Sequence, residues 1–319
     1  MKHTIPVTLI IILIFFLSQV IGLYALSYTI KGIGYTPEGE VVVEYADTAI
    51  GERPQLYDMG MFLYMIAAIL IGTGLILLLV KFKKFKIWKA MFFFAVWMTC
   101  SVTLGVFVDP IIAFSVSIFL AFFKIFKPNM IIHNVSELLI YPGIAIIFVP
   151  NLNIFWVTLL LLVISVYDVF AVWKSKHMVS MAQFQTKSRA FAGVFVTYKL
   201  KAKKGLSKAA RTVKGKKTAK TAKKEVASVE YRNAILGGGD IAFPLIFAGV
   251  VMDSLIKMSV AKTTAFAYAL IIPVVVAIAL FSLLAFAKKD RFYPAMPFIT
   301  AGCLAGYGIL WLLGSGIIA

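Results

Sequence analysis

Apolar residues run through this chain in blocks of about twenty, separated by short polar or basic segments. Nine such blocks can be drawn, at residues 5–27, 57–80, 90–108, 111–126, 130–149, 154–173, 233–255, 263–287 and 294–318. Each is near the length at which an α-helix, rising 1.5 Å per residue, crosses a bilayer. The pattern predicts an all-α, polytopic membrane protein with nine transmembrane helices. Residues 1–173 would hold helices one to six, 174–232 a long polar loop, and 233–319 helices seven to nine. The first block is too long for the apolar region of a cleaved signal peptide, so it is read as a span. Asp109-Pro110 predicts a tight turn between the third and fourth helices, and Pro142-Gly143 a kink or break in the fifth.

Composition supports this picture: 61% of the 319 residues are hydrophobic. Charge refines it. A net charge of +18 would point to nucleic acid in a soluble chain, but here the basic residues follow the spans. Loops on one side carry 5, 2, 17 and 3 Lys and Arg residues, and loops on the other carry 2, 0, 0 and 2. By the positive-inside rule the N-terminus is cytoplasmic and, after nine spans, the C-terminus extracytoplasmic.

Seventeen of the basic residues fall in 174–232, where the run 201–224 (KAKKGLSKAARTVKGKKTAKTAKK) has almost no apolar residues and is expected to be disordered. It lacks the aromatic residues that stack bases, so no nucleic acid is expected. A cytoplasmic polybasic tract lies on anionic lipid headgroups, at about 1 kcal/mol per basic residue near the surface. Before it, Phe184, Phe191, Phe195 and Tyr198 recur at helical spacing and predict a short interfacial amphipathic helix. Cys100 and Cys303 both lie in apolar runs, and His3, His133 and His177 are scattered; neither a disulfide framework nor a metal site is expected.

The chemistry-bearing residues are acids inside apolar blocks: Glu137, Asp168 and Asp240. An intramembrane carboxylate costs about 2.5–3.5 kcal/mol on insertion scales and marks function by default. Asp240 directly follows Gly237-Gly238-Gly239 and precedes Pro244, an unfavourable composition for a helix interior. Asp168 lies six residues before Lys174, about 9 Å from the cytoplasmic boundary. Asp240 lies eight residues after Arg232 on the next, oppositely running span, about 12 Å from the same boundary. Two carboxylates at one depth should face each other and water, share a proton and titrate as a pair. Such a pair can activate a water while polarising a carbonyl; a proton relay in a transporter uses the same residue type.

A third feature favours hydrolysis. Pro294-Ala295-Met296-Pro297 opens the last span from the cytoplasmic side and predicts extended backbone with free polar groups, tolerable only beside protein or a wet cavity. Such a segment could line an extended substrate.

The ordered set Tyr167-Asp168, Gly237-x-Gly239-Asp240 and Pro294-Ala295-Met296 resembles the presenilin and signal peptide peptidase family of intramembrane aspartyl proteases. Residues 163–172 (VISVYDVFAV) and the cytoplasmic N-terminus are similar to presenilins in particular. The resemblance implies an aspartic endopeptidase that hydrolyses peptide bonds within transmembrane segments of other proteins, with Asp168 and Asp240 as the catalytic pair. It implies that Tyr167, Gly237 and Gly239 shape the site and that Pro294, Ala295 and Met296 support it and the substrate. No cofactor is implied. Met296 stands where the family usually has leucine, a volume-conserving change, and the strongly basic loop is no family hallmark.

The chain would be a multi-pass integral protein of the cell membrane in a prokaryote or of endomembranes in a eukaryote. Any substrate-gating ectodomain would come from an accessory subunit, and homo-oligomerisation stays open. Two alternatives are a prepilin-type GxGD peptidase, which usually has fewer spans, and a proton-coupled transporter, which internal inverted repeats would favour. Glu137 reads as a satisfied buried acid rather than a third catalytic group.

Overall fold

The computed structural model describes residues 5–35, 41–175, 177–188, 190–200, 230–287 and 293–314. It is mostly helical. The helices are α1 (Ile5–Thr29), α2 (Met59–Lys81), α3 (Phe85–Leu104), α4 (Pro110–Phe126), α5 (Met130–Phe148), α6 (Ile154–Val169), α7 (His177–Ser188), α8 (Gly239–Lys257), α9 (Lys262–Ala269), α10 (Ile271–Phe286) and α11 (Met296–Gly314). Among the described residues, eight apolar helical segments are long enough to cross a membrane, α9 and α10 together forming one of them. A further apolar helix, α4, is shorter.

The core is organised around α8, whose most apolar stretch is 78% buried, against 11% for the peripheral α2. It packs against α1, α5, α6 and α11. Polar side chains start several helices. Asp109 accepts the Ile111 amide at 2.9 Å to cap α4, and Asn129 accepts the Ile131 amide at 2.9 Å to cap α5. Of the kink or break expected in α5, the break does not occur: the helix continues through Pro142. Gly143 instead allows close approach, because a Cβ there would collide with the Thr99 carbonyl of α3.

Two antiparallel hairpins depart from the all-helical expectation. The first pairs β1 (Ile30–Tyr35) with β2 (Val41–Tyr45) directly after α1. The second pairs β3 (Gly193–Leu200) with β4 (Glu230–Gly237) in an unbroken eight-pair register from Gly193↔Gly237 to Leu200↔Glu230. Three expectations change as a result. The interfacial helix ends at Ser188, so Phe184 is helical while Phe195 and Tyr198 are in a strand. The seventh apolar block does not become helical at 233: residues 230–237 are a strand, and α8 starts at Gly239. Both ends of the 174–232 segment are therefore ordered. The physical reason is β3's β-branched and aromatic content (GVFVTYKL), which fits a pleated surface better than a helix. The basic tract 201–224 and the cluster 288–291 lie outside the described residues.

The β1–β2 hairpin is tied to the far end of α8. The Tyr45 hydroxyl donates to Asp253 Oδ1 at 2.6 Å, and Lys257 pairs with the other oxygen of Asp253 at 2.8 Å. Arg53 lies over the Tyr45 ring at 5.4 Å and donates to the Ala46 carbonyl at 2.6 Å. Burial, then the Asp253 carboxylate and its hydrogen bond, hold the Tyr45 phenol well above its ordinary value of 10.0, with Arg53 opposing. A neutral phenol stabilised by folding contributes fully below pH 10, and the contribution is lost as pH rises through the raised value. Tyr45→Phe is expected to lose about 1–3 kcal/mol at neutral pH. In detergent melts its difference from the parent should shrink above pH 10.

Candidate active site

Asp168 stands in the last turn of α6, just before residues Phe170–Lys174 widen into a π-helical turn, and is only 4% exposed. A carboxylate so buried needs donors. It accepts the backbone N–H of Met296 at 3.1 Å and that of Ala295. Both donors come from the entry to α11, so the positive end of that helix dipole faces the carboxylate. The backbone around Pro294 is irregular as the sequence predicts, but helix begins at Met296. Pro297 falls in its first turn, where a missing N–H costs nothing. The amides of Ala295 and Met296 are thus engaged rather than free. Pro294 and Met296 are buried, and Ala295 is half-buried.

Helices α6 and α11 are joined one turn away. Ser165 meets the Thr300 hydroxyl at 2.7 Å, and Thr300 donates to the Leu161 carbonyl at 3.4 Å. Either hydroxyl can be the donor in the first contact.

Asp240 lies in the first turn of α8 and is half-buried. The backbone N–H of Gly237 donates to its carboxylate, which lies within electrostatic reach of Asp168. A Cβ on Gly237 would sit 3.1 Å from Asp240 Oδ2, so the absent side chain leaves room for the carboxylate. Gly239 is less constrained, since a Cβ there would make ordinary contact with the Phe243 ring at 3.5 Å. The structure thus brings Asp168, Asp240, Gly237, Ala295 and Met296 together at the junction of α6, α8 and α11. Tyr167 is directed elsewhere. Its hydroxyl bonds Thr73 of α2 at 3.1 Å and His177 of α7 at 3.0 Å, joining three helices beside Asp168.

Glu137 is satisfied, as its setting in the sequence suggests. Its carboxylate pairs with Lys124 at 2.5 Å and accepts the Tyr141 hydroxyl. Lys124, one of the two basic residues counted above with the loop after the fourth block, is only 1% exposed and lies inside the protein. Sequence reasoning also missed Gln19. This buried amide in the middle of α1 donates to the Ile241 carbonyl at 2.9 Å, one residue past Asp240. The available signal in each case was a polar residue within an otherwise apolar span. Among the described residues no group of His, Cys, Asp and Glu could hold a metal ion.

Apolar spans enclosing two carboxylates that sense each other have the form of an intramembrane aspartyl protease. The family model for signal-peptide peptidase, presenilin aspartyl protease matches residues 40–317, and the chain belongs to that family. It is accordingly a multi-pass integral membrane protein and an aspartyl protease. The fold is similar to that of a presenilin family intramembrane aspartate protease solved in two crystal forms. In the C222 form the TM-score is 0.56 at 15% identity, covering 94% of each chain. In the P2 form it is 0.55 at 17% identity, covering 95% of this chain and 96% of that one. No curated protein matches the chain.

The hairpin before Asp240 is held by Gly193, whose φ is +143° and whose Cβ would meet the Leu236 carbonyl. Gly193→Ala should cost on the order of 1–3 kcal/mol and lower proteolysis along with the melting temperature. Gly32→Ala in β1, with nothing within 4 Å of the new methyl, should leave both unchanged.

Proposed function

We propose that Asp168 and Asp240 are the catalytic dyad and that the chain cleaves peptide bonds within transmembrane segments of other proteins. The observation that carries this reading is the unequal support of two neighbouring carboxylates. Two backbone N–H groups at the start of α11 hold Asp168, and a glycine N–H holds Asp240 at the start of α8. The pair then works with one proton between them. The ionised member takes a proton from a water as it attacks the scissile carbonyl carbon, while the protonated member donates to the carbonyl oxygen. Collapse of the tetrahedral diol breaks the C–N bond, with a proton delivered to the leaving amine. The buried setting strengthens each of these electrostatic steps relative to water.

A helical substrate shields its carbonyls, so it must unwind to react. Strand β4 runs directly into the Asp240 turn, and among the described residues it has a strand neighbour on one side only, β3. Its other edge suits an extended substrate segment, whose main chain would then be fixed beside the acids. Buried Pro294 and half-buried Ala295 complete the wall near Asp168. Asp168→Ala and Asp240→Ala should each abolish cleavage of a transmembrane reporter peptide, followed by mass spectrometry of the products, while the protein still inserts. Undiminished turnover in either variant overturns the assignment.

We also propose nine spans with a cytoplasmic N-terminus. The 17-residue α4, about 26 Å long, is at the short end of spanning lengths, and the basic loops favour this orientation. On the same charge grounds, the basic residues of the 174–232 segment are assigned to anionic lipid headgroups. A maleimide label should reach a cysteine at position 83 only from the cytoplasmic side, and one at position 31 only from outside, in a Cys100→Ala/Cys303→Ala background. The opposite pattern reverses the topology.

A further inference from the structure

A buried polar cluster on α4 and α5 is not needed to place either acid directly, yet it contacts both β3 and Gly238 in the turn ahead of Asp240. Lys124 Nζ lies 2.5 Å from Glu137 Oε1, 3.3 Å from the His133 carbonyl and 3.4 Å from His133 Nδ1. An ammonium can only donate, so Nδ1 is the acceptor and the ring proton sits on Nε2. Nε2 then donates to the Gly193 carbonyl at 2.7 Å. On the next residue, Asn134 bonds both sides of the Phe195 backbone, accepting its N–H at 3.3 Å and donating to its carbonyl at 3.0 Å. Helix α5 thus grips β3 at two alternate residues.

The grip is passed on to the turn ahead of the acid. Gly193 is the register partner of Gly237, and Gly238 donates its N–H to the Ala192 carbonyl at 3.3 Å. Tyr141, one helical turn beyond Glu137, gives its hydroxyl to that carboxylate and packs on Gly238. A methyl there would lie 3.4 Å from both Tyr141 Cε1 and Oη. The same ring lies within electrostatic reach of Asp240. One ion pair therefore fixes two groups that bracket the Gly237–Gly238 turn: the His133 imidazole through β3, and the Tyr141 ring by direct contact.

We infer that Tyr141, held by the Lys124–Glu137 ion pair, is a positioning residue that sets the Gly237–Gly238 turn and through it the Asp240 carboxylate. This rests on the dyad reading above. Its function is to remove freedom from the turn, whose glycines would otherwise leave Asp240 loosely placed. It touches no reacting atom. Loss of the link should lower the rate of the chemical step more than substrate affinity.

Removing one member of a buried ion pair strands a charge, whereas replacing both is often tolerated. The test therefore uses Tyr141→Phe, Lys124→Met/Glu137→Leu and Lys124→Met/Glu137→Gln in the full chain, with melting temperature, kcat and KM measured on a transmembrane peptide. Tyr141→Phe and the Leu double variant should lose about tenfold or more in kcat, with KM within about twofold of the parent. The Gln double variant restores an acceptor for Tyr141 Oη, and kcat should recover to within about threefold of the parent. The inference is overturned if Tyr141→Phe, folded by its melt, keeps the parent kcat. It is also overturned if the Gln double variant falls as far as the Leu one, or if the loss is in KM. Tyr141→Phe removes one oxygen and keeps the ring, so it decides the matter even where a double variant fails to insert. Asp240→Asn is run alongside. If it is inactive while Tyr141→Phe is fully active, the positioning role alone fails; if it is active, the dyad reading fails.

Discussion

A carboxylate taken out of water must be given donors, and the described part of this structure is arranged to satisfy that requirement at three places. Asp168 takes two amides from the opening of α11, Asp240 takes one from Gly237, and Glu137 takes a lysine and a phenol. Each solution recruits a different element, so satisfying the acids also fixes how the helices meet. Pro294 just before α11 and the glycines leading into α8 can be understood in the same way. They keep backbone N–H groups available where regular helix would have used them internally.

Much of this was legible in the sequence, because membrane helices announce themselves by length and apolarity, and intramembrane acids by their cost. The helix ends fall within a few residues of the apolar blocks in α1, α2, α4, α5 and the α9–α10 pair taken together. Asp168 and Asp240 stand out as acids in apolar runs. The strands were not legible. Residues 230–237 are apolar enough at their C-terminal end to be absorbed into a neighbouring span, and their pairing with 193–200 is non-local. Hydropathy cannot see a partner 30 residues or more away, and the aromatic spacing that suggested a helix at 184–198 also suits a strand once β3 is paired. Lys124 was misplaced for a related reason. A basic residue near a helix end reads as an interfacial anchor unless its acid, on another helix, is taken into account.

The fold divides the work between a stiff core and an edge. Helix α8, buried for most of its length, carries Asp240 in its first turn, and Asp253, which anchors the outer hairpin, near its last. α2 shows most of its surface, and only a few side chains such as Thr73 tie it to the rest. Groups that must keep their geometry lie on the former, while the latter is free to face lipid.

The closed β3–β4 stem has an architectural consequence of its own. Its eight register pairs bring Leu200 and Glu230 side by side, so the 29 residues between them join two points that are already adjacent. The free energy of spanning such a gap depends only logarithmically on contour length, and each doubling of a flexible connection adds about 0.6 kcal/mol. Substantial inserts or deletions at this point should therefore be absorbed without altering the fold on the other side of the stem.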